Sequence, residues 1–158
     1  MAYVSRGFIP QTSLASNLGF TRPMYIPAGN ATATALYDIV KVSTSGSTVD
    51  TAGVPAGLMG CVRVSDKDDV PCGVIVGFIA DPDYLNQTYR SASTARVALV
   101  NYDPQVVLEA QEDDNGTTLA VARIGTPVDL VPGSIDTVTG TSGMQISSAT
   151  LAGSPGMF

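Results

Sequence analysis

The sequence predicts a mainly β protein, a small β-barrel or sandwich with an extended N-terminal arm. Three observations carry that expectation. From residue 35 onward apolar residues recur with a period of two, Gly, Pro, Asn and Asp punctuate the short runs, and no segment carries the apolar stripe of a helix. Sixteen glycines and ten prolines in 158 residues supply the turns. A chain of this length fits one domain able to bury an apolar core without metals or disulfides.

Residues 1–34 set single large apolar side chains (Tyr3, Phe8, Ile9, Phe20, Met24, Tyr25 and Ile26) among Gly, Pro, Ser and Asn without a period. Disordered tails are poor in aromatics, so this stretch reads as an arm that orders on a partner or folds back over an open end of its own barrel. The body is expected over 35–150. Its first strand is "ALYDIVKVS", with Leu36, Val40 and Val42 sharing one face with Asp38, and Tyr37, Ile39 and Lys41 on the other.

"GLMGCVRV" and "VPCGVIVGFIA" read as the next two strands, and the acidic link Ser65 to Asp69 as the hairpin loop between them. That pairing sets Cys61 opposite Cys72. Opposed residues of an antiparallel pair have Cα atoms roughly 4.5–5.5 Å apart, within disulfide range. Two cysteines in a chain without an export signal are more often free and buried, so both states stay open. Two thiolates without histidine make an incomplete zinc shell.

"STARVALV", Ser93 to Val100, is a further strand and Tyr102 to Pro104 a turn. "QVVLEAQ" follows, with Val106, Leu108 and Ala110 on one face and Gln105, Glu109 and Gln111 on the other. "DDNG" is a turn, "TTLAVARIG" reads as a returning strand, and residues 126–151 as two or three shorter ones separated by glycine turns. In the tail, 151–158, Leu151, Met157 and Phe158 offer a second set of apolar anchors.

The charge balance narrows the function. Eight Lys and Arg stand against fourteen Asp and Glu, a formal net charge of −6, which lacks the electrostatic footprint of a nucleic-acid or anionic-membrane binder. Only 14% of residues are charged, so the surface is largely neutral and buries against neighbouring subunits with little ionic desolvation. There is no histidine. Ser-His-Asp and Cys-His nucleophiles and His-ligated metals are therefore excluded.

Other chemistry is weakly signalled. Lys41 and Lys67 are the only lysines, and neither sits beside a glycine-rich phosphate loop. Asp66, Asp68 and Asp69 crowd one loop but lack the glycine and distal glutamate of a helix-loop-helix calcium site. "QEDDNG" would need Gln111 and Ala122 as its first and twelfth ligands, both wrong. Glu109 and Glu112 as a glycosidase pair would need support from three-dimensional geometry. The sequons at Asn30, Asn86 and Asn115 read as chance matches in an Asn- and Thr-rich chain. The first twenty residues carry no secretion signal, and Val70 to Ala80 is too short to span a bilayer. The expectation is a chain made in a cytoplasm, remaining soluble, with no enzymatic activity and no cofactor.

Arg90 and Arg96 begin strand-like runs in a cation-poor chain. Each is expected to pair with an acidic loop, to cross a subunit contact, or to be a plain surface residue. With them the sequence resembles a known family. Tyr89-Arg90, "ASTAR", Val100, Asp103-Pro104 and "EAQED", preceded by "GVIVGF" and followed by "TGTSGM", are similar to the capsid decoration, or cement, proteins of tailed bacteriophages. The resemblance covers residues 58 to 146 through strand and turn patterns. A proline often follows the Tyr-Arg pair in that pattern and an aromatic the second arginine; Ser91 and Val97 stand there instead.

The resemblance implies a β-rich body on the outer surface of an icosahedral shell, commonly a homotrimer at local three-fold positions. Its partner would be the major capsid protein, and a terminal arm would cross onto neighbouring subunits. Interface residues would then be Tyr3, Phe8, Ile9, Phe20, Met24, Tyr25, Ile26, Arg90, Arg96, Met157 and Phe158. Alternatives are another virion component, such as a fibre, spike or head-tail accessory protein, or a small-ligand barrel.

Overall fold

Five strands close into a barrel in the computed structural model, which is mainly β, as the alternation predicts, and a barrel rather than a sandwich. The structure describes residues 5–13, 20–47, 54–66, 68–82, 85–113, 115, 119, 121 and 124–151, with side chains as far as 148. Strands among the described residues are β1 (Ile9–Ser13), β2 (Thr21–Ile26), β3 (Ile39–Ser43), β4 (Gly60–Arg63), β5 (Gly73–Phe78), β6 (Arg96–Asn101), β7 (Val106–Glu109), β8 (Val128–Val131) and β9 (Gln145–Leu151).

The barrel order is β2-β4-β3-β5-β6, closing back on β2. Its longest seam runs antiparallel from Thr21↔Asn101 to Ile26↔Arg96. The closing seam is a short parallel contact, Tyr25↔Gly60, where the Tyr25 amide donates to the Met59 carbonyl at 2.9 Å. Gly60 is required there, because a Cβ would lie 2.1 Å from the Ser45 carbonyl oxygen.

Alternation along each stave fills the interior with Met24, Ile26, Val40, Cys61, Ile75, Ala98 and Val100. Burying a large apolar side chain of this kind stabilises by roughly 1.5–3 kcal/mol. The outward faces of β3 and β5 are buried too. Ile39, Val64 and Val74 form a second core with Phe8, Leu130 and Met144, against which Leu108, Ala110 and Ile146 pack. The β1-β7 and β8-β9 pairs supply this outer layer. They are joined where Ile146 donates to the Gln111 carbonyl at 2.9 Å and Asp113 to the Ile146 carbonyl at 3.0 Å.

Several expectations are corrected. The arm assigned to 1–34 contributes β2, a stave of the barrel, so Met24 and Ile26 are core residues rather than outward anchors. The strand expected from Ala35 begins only at Ile39, because Tyr37 is left-handed (φ 68°). That conformation turns the chain so that the Tyr37 carbonyl accepts from Phe8 at 3.0 Å while its amide donates to Ile75 at 2.8 Å.

The 65–69 link is not a hairpin. β3 lies between β4 and β5, pairing Val42 with Cys61 while the Cys72 amide donates to the Val40 carbonyl at 2.7 Å. Cys61 and Cys72 are both free thiols. Of the strand expected over "TTLAVARIG", the described residues hold none; Ile124 donates to Val121 at 3.2 Å in a turn, and both side chains are exposed. The rest of that run, 117, 118, 120, 122 and 123, lies outside the described residues. Residues 126–151 do supply two strands, β8 and β9.

Candidate partner-binding surface

Most predicted interface residues are used inside the molecule. Phe8 sits in the outer core. Ile9 and Tyr25 are half-buried, paired with Glu109 and Val97 respectively. Tyr3, Met157 and Phe158 lie outside the described residues.

Arg90 is 0% exposed, which corrects its assignment to an interface or acidic loop. Its Nε donates to the Thr94 carbonyl at 2.7 Å and Nη1 to Thr32 at 2.6 Å, while Nη2 donates to Pro27 at 2.9 Å and Asn30 at 2.8 Å. A planar fork satisfies four carbonyls that the 27–34 and 90–94 turns leave without strand partners. Burial lowers its pKa to about 10, so it stays protonated at neutral pH. Arg96 is buried likewise, donating through Nη1 to the Tyr89 carbonyl and through Nη2 to Gln87 at 2.9 Å, with its guanidinium 4.8 Å from the centre of the Phe78 ring. Both arginines lace loops to the barrel.

The carboxylates are likewise structural. Asp38 Oδ2 accepts from the Ala35 amide at 2.7 Å, and Oδ1 accepts from Ser142 Oγ at 2.5 Å and lies 2.9 Å from Arg63 Nε. Burial pushes this carboxyl up, against the opposing pull of Arg63 and Ser142. On the 65–69 loop, Asp69 accepts from the Ser65 and Asp66 amides and pairs with Lys41 at 2.5 Å. Glu109 accepts from Gln11 Nε2 at 2.6 Å and Glu112 from the Leu119 amide at 2.9 Å, so the two carboxylates serve separate local bonds. Among the described residues no three His, Cys, Asp or Glu side chains cluster to hold a metal, and no helix is long and apolar enough to cross a membrane.

One outer region has a different character. Phe20 is 52% exposed and Tyr102 42% exposed. Their rings lie 6.1 Å apart at 40°, and the exposed Arg22 guanidinium sits 5.4 Å from the centre of the Tyr102 ring. The Tyr102 amide donates to the Phe20 carbonyl at 2.9 Å, extending the β2-β6 seam past its last register pair and fixing both aromatics at one barrel end.

Tyr102 is also a wall of a groove of about 280 Å³, with Pro71, Cys72, Pro104, Val106 and Leu108 among its other walls. Asp103 lines it, but its Oδ1 accepts from the Gln105 amide at 2.9 Å and its Oδ2 from Ser13 Oγ. A neighbouring apolar cleft of about 310 Å³ shares Val106 and Leu108 and adds Phe8, Ala110, Val128 and Ile146. Burial raises the half-buried Cys72 thiol, and Arg22 opposes that rise from nearby.

The arrangement can bind by apolar contact, ring stacking and one cationic fork. Of its residues the sequence points to Phe20 and Phe8 as interface anchors and to Cys72 as a disulfide candidate. Arg22 and Tyr102 were missed as site residues, and nothing local marks them, because only the β2-β6 seam brings residue 22 beside residue 102. Compared with known proteins, the chain matches no family model, and no curated protein or solved structure resembles it significantly.

Proposed function

We propose that this chain is a structural virion protein that binds the outer surface of a phage capsid and stabilises it by bridging neighbouring major capsid subunits, as a homotrimer. The observation that carries the reading is the exposed Phe20-Arg22-Tyr102 cluster beside an apolar groove. Aromatic and arginine side chains dominate interface energetics, and an exposed apolar site with a polar edge suits a protein partner. The charge-poor composition and the sequence resemblance point the same way. Mechanical work needs a body that does not deform, and a filled barrel whose buried arginines tie loops to carbonyls supplies one. Repetition around a ring adds avidity, so no single contact has to be strong.

Because β2 is a barrel stave, deleting residues 1–26 would open the barrel and test folding instead of binding. The test is co-sedimentation of the purified chain with phage heads assembled without it, alongside Phe20→Ser/Tyr102→Ser, and light scattering for the oligomer. Binding by the native chain with at least a tenfold loss in the double variant supports the proposal. Native chain left in the supernatant, or a variant that binds equally, overturns it.

A further inference from the structure

We propose that the groove beside Tyr102 receives an extended segment of a partner protein, which inserts an apolar side chain between Pro71, Cys72, Tyr102 and Val106 and sets a carboxylate against Arg22. The geometry and the charge distribution both point to that occupant. The walls are apolar, and the carboxylate that lines them, Asp103, has each of its oxygens engaged by the chain's own donors.

Charge decides the rest. Among the other described cations, Arg63 pairs with Asp38, Lys41 pairs with Asp69, Arg90 and Arg96 are buried on carbonyls, and Arg6 is exposed but is not among the groove's lining residues. Arg22 is exposed, faces the Tyr102 ring, and has no carboxylate partner among the described residues. A guanidinium held against an aromatic face keeps its N–H edge available for a bidentate carboxylate. The groove therefore selects an anion next to an apolar group, and an acidic side chain a residue or two from an aromatic or aliphatic one meets both demands. In a protein of net charge −6 this local cation also supplies the sign contrast that orients an acidic segment. The capsid reading names which partner offers the segment; the groove's preference does not depend on it.

The test has two arms. In the first, the 15N-labelled chain is titrated with a blocked hexapeptide carrying a phenylalanine two residues before a glutamate, and with its glutamine twin. Amide shifts centred on Cys72, Gly73, Tyr102 and Val106, binding of the glutamate peptide tighter by about two- to fivefold, and loss of that difference in Arg22→Gln support the proposal. Absence of shifts at these amides at millimolar peptide, or equal affinity for both peptides in the native chain, overturns it.

In the second arm, alkylation of Cys72 is followed by mass spectrometry in the free chain and in head-bound chain; Cys61, sealed in the barrel, is the internal control. Protection of Cys72 by at least tenfold on heads supports the proposal. Heads that bind the chain and leave Cys72 reacting at its free rate overturn the groove assignment while the capsid reading stands. A peptide titration that succeeds with heads that do not bind supports the groove and removes the capsid reading.

Discussion

Asp38 Oδ1 and Arg63 Nε meet at 2.9 Å, shielded from solvent, at the point where the turn into β3 crosses the end of β4. Arg63 also donates through Nη2 to the Gly133 carbonyl at 2.5 Å, and Asp38 accepts from Ser142 Oγ. One ion pair thus ties the barrel to the 133–142 segment of the outer layer. Removing one member of a buried pair leaves an uncompensated charge and costs about 3–5 kcal/mol. Asp38→Ala is expected to lose that much in urea unfolding, and an unchanged midpoint would remove the pair from any structural role.

Arg90 makes a separate prediction. Arg90→Met keeps most of the packing but leaves the Thr94 carbonyl without its donor and the Thr32 carbonyl with only a 3.5 Å bond from Thr34 Oγ1, while the Pro27 and Asn30 carbonyls lose one of two donors and keep the Asn30 and Ser93 amides. Each unsatisfied buried acceptor costs about 1–3 kcal/mol, less where water enters. A total near 3 kcal/mol corresponds to a Tm lower by about 6–12 °C for a domain of this size. Arg90→Lys should recover only part of it, because an ammonium cannot span four carbonyls from one plane. Calorimetry of the three proteins gives the order native, Lys, Met.

Backbone proximity gives a third test. A Cβ on Gly143 would fall 1.8 Å from the Ser134 carbonyl oxygen, and one on Gly133 1.8 Å from the Gly143 carbonyl oxygen, so two chain segments touch with no room for a methyl group. Gly143→Ala should cost about 3 kcal/mol or more through displaced backbone. Gly29, whose Cβ would meet nothing within 4 Å, is the control, and Gly29→Ala should change stability by less than about 1 kcal/mol. Equal effects from the two substitutions would contradict the packing described.

The half-buried carboxylates Asp69 and Asp113 predict the direction of the acid response. Hydrogen bonds from the Ser148 hydroxyl and amide hold the Asp113 carboxyl below its ordinary value. At Asp69, burial pushes upward but is outweighed by the Lys41 bond and the Ser65 and Asp66 amides, and the net shift is downward. For a lowered folded-state pKa, the stabilisation is full above the unfolded value, about 3.9 for aspartate, and is lost as pH falls through the folded value. Asp113→Asn should therefore destabilise at pH 7 and converge on the native chain as pH falls below about 4. Urea curves across that range check it; a penalty that grows toward acid would reverse the assignment.

Strand β7 was legible in the sequence because its two faces differ in their immediate neighbourhood, whereas β5 and β6, buried on both faces, were legible as short apolar runs between turns. Val106, Leu108 and Ala110 alternate with Gln105, Glu109 and Gln111, and the first three do line the outer core and its clefts. β2 was missed because Arg22 and Pro23 interrupt the alternation, leaving only Met24-Tyr25-Ile26 to signal it. Its burial comes from β6, a strand far along the chain. The 65–69 link read as a hairpin because short loops usually join paired strands, yet β3 takes the place beside β4 and hydrogen-bonds on both edges.

By itself the sequence determined the β class, the barrel-or-sandwich architecture, the turn-rich connections and the exclusion of histidine chemistry, since periodicity, backbone preference and composition are properties of near neighbours in the chain. Tertiary structure alone decided which strands are adjacent, that Arg90 and Arg96 face carbonyls inside the molecule, and that Phe20, Arg22 and Tyr102 share one surface beside a groove. Those outcomes depend on closing a barrel so that two apolar faces are buried at once, a condition satisfied by contacts between distant residues and written in no local stretch of the chain.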